Sequence, residues 1–398
     1  MTGQVLSISR AAGDADLKDW TGSDTAVLQQ RVVSAMARSI GFLSAMQADN
    51  APRGVLRIAP PHDPEQWPGM LLPGSYYGIM CIKLFGEIAQ LRGNERAGLV
   101  AWFEAARRPN GTFAIAGMNE GDVYKKPDRD ETWRYIDFHV TNNALGAIEA
   151  LDPLRRPVLD FIEPWLDPLI LKAWLAGRDM RVPQLEGQNI VNLASFLLLK
   201  TRHGEAGDKA VAKAALHILF DWLERNQEPD TGFWGVGQGL GATQLLQAMA
   251  GSVQAYHPFY ALRRPVPHHA KAVDYALSLS PPKIHGAEID VDLVDLLVHA
   301  ALLSGHCGAD TTRWLARMLD ALLDYQNADG GFPDQRGGIR RQDGWERGYE
   351  EQQGVSSTYG TWFRWVAIAM ISSHLWPDWH VWGFRRMIGA GYRRDLLR

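Results

Sequence analysis

The chain has 398 residues, 46% of them hydrophobic and 22% charged, with a formal net charge of −4. That balance allows one large domain or two ordinary ones with an ample core, and it gives no electrostatic case for nucleic-acid binding. Cys81 and Cys307 lie far apart and suggest thiols rather than a disulfide framework; no apolar run reaches membrane-spanning length; and the opening residues lack the layout of a secretory leader, so a cytoplasmic protein without membrane insertion is expected.

Along the chain one pattern recurs: an amphipathic helix, a polar turn, a glycine, an aromatic residue, then a second helix. The first unit places an outer helix near 26–48, a Pro- and Gly-rich loop over 49–73 and an inner helix from Gly74. The second pairs 94–107 with a helix starting near Ile136, across a long loop. Its turn, from Phe103 to Phe113, ends Arg-Pro-Asn-Gly-Thr-Phe. The third pairs 157–176 with 187–200, and the fourth 207–227 with 242–262. The fifth pairs 266–278 with 287–303, and the sixth 311–327 with 356–375. Apolar residues at steps of three and four carry the helices, as in Leu315, Met318, Leu319, Leu322 and Leu323. Almost nothing alternates with period two, so strands should be few. A hairpin of this size buries too little alone, so the units must stack, and six of them close into a ring. The expected organisation is an N-terminal extension (1–25), one domain (26–375) and a C-terminal tail (376–398).

The two clearest turns are Gln326, Asp329, Gly330, Gly331 and Phe332, and Gln227, Gly232, Phe233 and Trp234. Gln can reach backbone groups at helix ends, Gly permits positive φ, and the aromatic ring packs beneath the turn. These turns resemble those of the α/α-toroid superfamily of terpenoid cyclases and protein prenyltransferase β-subunits. The resemblance implies an all-α (α/α)6 toroid, with an outer wall of first helices and a central cavity ringed by second helices. It says little about chemistry, because one fold hosts many functions.

Candidate functional residues are those that begin the inner helices. In the fifth unit Glu288, Asp292, Asp295 and His299 share one helical face, while Asp290 reads as a helix cap. The second unit offers His139, Asn142 and Asn143; the third offers Asn189 and Asn192, with Gln188 beside them. The fourth has Tyr256, His257 and Tyr260, and the sixth has Glu350 just ahead of its helix and Trp362 within it. The first contributes Tyr77. Asp292, Asp295, His139, Tyr256, His257 and Glu350 are the expected acid–base groups. Asn142, Asn143, Asn189, Asn192, Glu288, Tyr77 and Trp362 are the expected binding residues. A carboxyl crowded by others is a natural proton donor near neutral pH.

Two enzyme readings follow, with a non-enzymatic binding scaffold as a third. Class II terpene cyclases of the resembled superfamily protonate an alkene with an Asp-x-Asp-Asp motif. The nearest string here, Asp290-Val-Asp-Leu-Val-Asp295, lacks the adjacent acid pair. Protein prenyltransferases hold zinc with Asp, Cys and His. His306 and Cys307 are adjacent, and adjacent helical residues diverge by about 100°, so no metal and no cofactor are expected. The polar inner-helix starts turn the expectation toward a small carbohydrate or similar polar metabolite, processed by a lyase, hydrolase or epimerase. Oligomeric state is left open.

Overall fold

A computed structural model of the chain describes residues 22–118, 135–235, 241–280, 282–337, 339–341 and 345–397. Most of the expected N-terminal extension lies outside them.

Along the chain the helices alternate between an outer and an inner layer. The outer members are α1 (Gly22–Ala45), α3 (Gly93–Ala105), α5 (Pro168–Ala176), α7 (Ala206–Asn226), α9 (His269–Ser278) and α11 (Gly308–Asp324). The inner members are α2 (Leu71–Leu84), α4 (Tyr135–Leu151), α6 (Pro183–His203), α8 (Ala242–Leu262), α10 (Ala287–Leu303) and α12 (Thr358–Leu375). Each inner helix packs on the inner helix of the next unit, and α12 packs back on α2, so six inner helices close a ring. On the outside, α1 packs against α11 and against the inner helix α12. The architecture is an (α/α)6 toroid.

Sequence periodicity divides the two layers. Outer helix α11 buries one stripe, from Thr311 through Trp314, Leu315, Met318, Leu319 and Leu322. Inner helix α12 is buried along nearly its whole circumference, Thr358 to Ser372. A helix enclosed by neighbours on all sides needs no polar face. Where two inner helices come closest, glycine is obligatory. A Cβ on Gly187 of α6 would lie 2.1 Å from the Gly251 carbonyl oxygen of α8.

The repeated turns work as anchors. Gln326 Nε2 donates to the carbonyls of Ala35 (2.9 Å) and Gly330 (2.8 Å), pinning α11 to α1. Gln227 Nε2 donates to the Gly232 and Pro267 carbonyls in the same way. Gly330 has φ +86° and sits against the Arg38 backbone, where a Cβ would meet the carbonyl oxygen at 2.3 Å. After each turn the chain is tied to the inner helix of its own unit through a hydroxyl. Ser75 accepts from Leu56 N, Thr141 from Phe113 N, Ser252 from Trp234 N and Thr361 from Phe332 N, at 2.9–3.1 Å. The first unit therefore carries the same device, built on Gln47, Gly54 and Leu56, without the aromatic residue.

Two details differ from expectation. The third outer element is a 3-10 turn, Asp160–Leu166, followed by the short α5, because Pro164 and Pro168 lack N–H donors and cannot sit inside one continuous helix. Between α11 and α12 a small antiparallel ribbon forms, β1 (Ile339–Arg341) with β2 (Glu350–Gln352).

The tail after α12 is built into the ring. Gly383 N donates to the Leu84 carbonyl of α2, Gly389 N donates to His257 of α8, and Gly391 lies against the Trp362 ring of α12. Arg385 reaches Asn142 and Asn143 of α4, and Tyr392 stacks on His299 of α10. A loop from Arg385 to Tyr392, closed by its own backbone bonds, thus touches inner helices around the ring and fills its base.

Candidate functional site

With the base filled, the open space lies at the opposite end, where the inner helices start. A cavity of about 550 Å³ is lined there by Gln184, Gln247, Glu288, Asp334, Gln335, Gln353 and Tyr359. This volume suits a small molecule. Glu288 is partly exposed on the first turn of α10 and faces this cavity. Asp292 follows one turn deeper and is buried, then Asp295, then His299.

Asp292 accepts a hydrogen bond from Gln254 Nε2 at Oδ1, 2.8 Å. Burial is the main force on its carboxyl, and the nearby charges of Glu288 and Asp295 add to it. Together they push its pKa well above the usual carboxylate range. Asp295 has the opposite fate. Burial would raise it, but the facing rings of His299 and His257 overcome that effect and hold it well below the ordinary value. His299 Nδ1 stands 2.9 Å from one Asp295 oxygen and His257 Nε2 stands 3.4 Å from the other. The Gly389 amide donates to His257 Nδ1 at 3.1 Å, so the His257 proton sits on Nε2, aimed at Asp295. His299 is held flat between Tyr260, at 4.2 Å, and Tyr392. Two carboxyls on one helical face are thus driven apart, Asp295 toward its charged form and Asp292 toward its neutral one.

A second polar cluster lies across the ring. Asn142 Nδ2 donates to Asn192 Oδ1 at 2.7 Å, and Asn143 Nδ2 points to His139, whose Nε2 meets the Tyr77 hydroxyl at 3.1 Å. Arg385 donates to Asn142 Oδ1 (3.0 Å) and Asn143 Oδ1 (3.3 Å). Burial lowers His139 to about 4, and Arg385 adds to the effect. Asn189 donates to Glu186, which is ion-paired with Arg178.

Several expected site residues have other tasks. Tyr256 donates its hydroxyl to the Gly232 carbonyl, under the repeat turn, and takes no part in the stripe on α10. Glu350 is exposed on the ribbon, because the helix it was expected to precede starts only at Thr358. Asn142, Asn143 and Asn192 are committed to one another and to the tail. Trp362 packs on Gly391 of that tail. Asp290 is ion-paired with Arg364 and accepts from the His285 amide, which ties the start of α10 to α12. Sequence reasoning missed Gln254, whose place three residues before His257 on α8 was a usable signal. It also missed the rim residues Asp334, Gln335 and Gln353, which come from loops. An aromatic wall adjoins the cavity through Tyr359, whose ring meets Tyr77 (5.5 Å), Phe363 (4.9 Å) and Trp345 (6.1 Å). Among the described residues, no helix is long and apolar enough to cross a membrane.

No protein-family model matches the sequence, and no curated protein matches it. Among solved structures the chain is similar to a type II terpene cyclase from Scytonema in complex with geranylgeranyl dihydroxybenzoate, its substrate. The identity is 13% and the TM-score 0.47, over 88% of this chain and 99% of that one. The expectation of a carbohydrate lyase, hydrolase or epimerase is corrected at the site itself. The amides and histidine that suggested a sugar site are hydrogen-bonded to one another and to Arg385.

Proposed function

We propose that the chain is an isoprenoid cyclase that starts its reaction by protonating an alkene. The observation that carries this reading is Asp292, a buried carboxyl whose surroundings favour its neutral form, one turn below a cavity of small-molecule size. A carboxyl that accepts from Gln254 at Oδ1 keeps its proton on Oδ2. In the step proposed, the O–H bond of Asp292 breaks and a C–H bond forms at the less substituted carbon of a terminal alkene. The electron pair comes from the π bond. The resulting tertiary cation is captured by the next alkene in the chain, and loss of a proton from carbon ends the sequence, so product and substrate are isomers. The charged Asp295 stabilises developing positive charge nearby, and the aromatic faces of Tyr77, Tyr359 and Phe363 do the same by cation–π attraction. The resembled Asp-x-Asp-Asp motif is matched only in part, at Asp290 and Asp292. The chain departs from it at Leu293, where that pattern has a further acid, and Asp295 supplies the second carboxylate one turn on.

The test is incubation of purified protein in D2O with a panel of linear polyprenyl alcohols, polyprenyl diphosphates and polyprenylated phenols, followed by mass spectrometry. The expected product is an isomer carrying one deuterium, formed by the wild type and absent with Asp292→Asn. A panel that yields no product and no thermal shift would sink the reading. Loss of diphosphate without deuterium uptake would replace it with an ionisation reaction.

A further inference from the structure

Outside the ring, on the face shared by the fifth and sixth hairpins, three side chains converge. Asp274 comes from outer helix α9, and His306 and Cys307 come from the turn between α10 and α11. One carboxylate oxygen, the His306 ring nitrogen and the Cys307 sulfur all lie within 4.8 Å of one another. His306 Nε2 is 2.8 Å from Asp274 Oδ1 and 3.5 Å from Cys307 Sγ. On a helix, neighbouring residues such as His306 and Cys307 would diverge. Here the backbone turns first. Gly305 has φ +64° and Cys307 has φ +51°, an uncommon left-handed conformation for a residue with a Cβ. That turn sets Nε2 and Sγ side by side facing α9. Strained backbone of this kind persists only where its surroundings hold it, and it gathers at functional positions.

We propose that Asp274, His306 and Cys307 form a binding site for a single zinc ion or a similar borderline transition-metal ion. The donor set is one oxygen, one nitrogen and one sulfur, which are the three ligand types that zinc accepts. With a Zn–S bond of about 2.3 Å and a Zn–N bond of about 2.0–2.1 Å, tetrahedral ligands stand about 3.5 Å apart. Cys307 Sγ and His306 Nε2 already have this separation. The carboxylate need only retreat by a few tenths of an ångström from its hydrogen bond to His306. The fourth position faces solvent, since all three residues are at least partly exposed. Binding would displace a proton from the Cys307 thiol and would clip α9 to the start of α11. The ion would sit apart from Asp292 and take no part in the reaction proposed there.

Cobalt(II) is the probe. Full-length protein is stripped with chelator, titrated with Co(II), and followed by absorption for the thiolate-to-cobalt charge-transfer band. Bound Zn(II) per chain is then measured by elemental analysis. The expected result is one metal per chain, a thiolate band, and a rise in melting temperature with Zn(II). Band and rise should vanish in Cys307→Ser and persist in Cys81→Ser, which removes the other, buried thiol. His306→Ala and Asp274→Asn should each weaken binding at least tenfold. These are surface positions, and unchanged circular dichroism of the metal-free variants would confirm their folding. Absence of a thiolate band, or metal uptake equal in wild type and Cys307→Ser, would overturn the site and leave the Asp274–His306 pair as an ordinary surface ion pair.

Discussion

Two polar clusters lie inside the same ring, and the proposed function gives them different tasks. On one side are Asp292 and Asp295 of α10, with Gln254 and His257 of α8. On the other are His139, Asn142 and Asn143 of α4, with Asn192 of α6. Both look alike as strings of polar residues on inner helices. The difference comes from the C-terminal loop. Arg385 enters the second cluster and donates to two of its amide oxygens, so that cluster is locked. In the first cluster the same loop contributes the Gly389 amide, which orients His257 toward Asp295, and the Tyr392 ring, which stacks on His299; neither offers a charge to Asp292, which stays crowded by negative charge. A buried polar group is a working group when its neighbours raise the energy of one of its protonation states, and a structural one when they satisfy it.

The largest expected effect comes from removing the proton of Asp292. Asp292→Asn should lower turnover by about 10²–10⁴-fold, the usual worth of a general acid. It should not lower the melting temperature. The raised folded-state pKa means that Asp292 favours the fold most at low pH, and this contribution is lost as pH rises toward and through that raised value. A neutral amide escapes that loss, so the variant should be as stable as the wild type or more so, with the difference growing toward alkaline pH. In the wild type, activity should fail on the alkaline side as Asp292 ionises. A rate that instead climbs with pH through the alkaline range would remove Asp292 from the role of acid.

The locked cluster should show the reverse pattern. Arg385→Met strips the donors from Asn142 Oδ1, the Asn142 carbonyl and Asn143 Oδ1. Unsatisfied buried acceptors cost about 1–3 kcal/mol each, so a loss of at least about 3 kcal/mol is expected in urea unfolding, with turnover per folded molecule largely retained. Equal losses of stability and turnover would show that the loop shapes the working cluster too.

His139 sharpens the comparison through pH. Its folded-state value is lowered to about 4 from the ordinary 6.5. A histidine that is neutral when buried contributes stability that is complete above pH 6.5 and drains away as pH falls toward 4. The shift corresponds to about 3 kcal/mol. Unfolding midpoints measured between pH 7 and pH 4 should fall, and His139→Gln should flatten part of that slope. Some slope should survive in the variant, because burial lowers His269 to about 4 as well.

Much of the fold was legible because helices announce themselves by spacing and turns by glycine. Leu315, Met318, Leu319 and Leu322 mark the buried stripe of α11, and Gln326 with Gly330 marks its end. The first copy of the turn escaped notice because Leu56 stands where an aromatic was sought. The hydroxyl anchors Ser75, Thr141, Ser252 and Thr361 escaped because small polar residues on a helix carry no periodic signal. The stripe of Glu288, Asp292, Asp295 and His299 was legible, and so was the crowding of its carboxyls. Which carboxyl is pushed up and which is held down was not, because that depends on Gln254 and on the two histidines facing Asp295. Arg385 was least legible of all. Its partners lie more than two hundred residues earlier, and nothing in the tail repeats the pattern of the hairpins.

The smallest effect tests the boundary between site and scaffold. Tyr256 sits one residue before His257, yet its hydroxyl turns outward to the Gly232 carbonyl. That carbonyl also accepts from Gln227 Nε2 at 2.7 Å. Tyr256→Phe therefore removes one hydrogen bond without leaving the acceptor unpaired, and the ring still packs on Trp234. A loss of about 1 kcal/mol is expected, with turnover unchanged. Gln227→Ala should cost more, because it also frees the Pro267 carbonyl and uncouples α7 from the segment leading into α9. If Tyr256→Phe instead lowered turnover while leaving the unfolding midpoint in place, the hydroxyl would have to reach the reacting centre, and the division between turn and cavity drawn from Gly232 would be wrong.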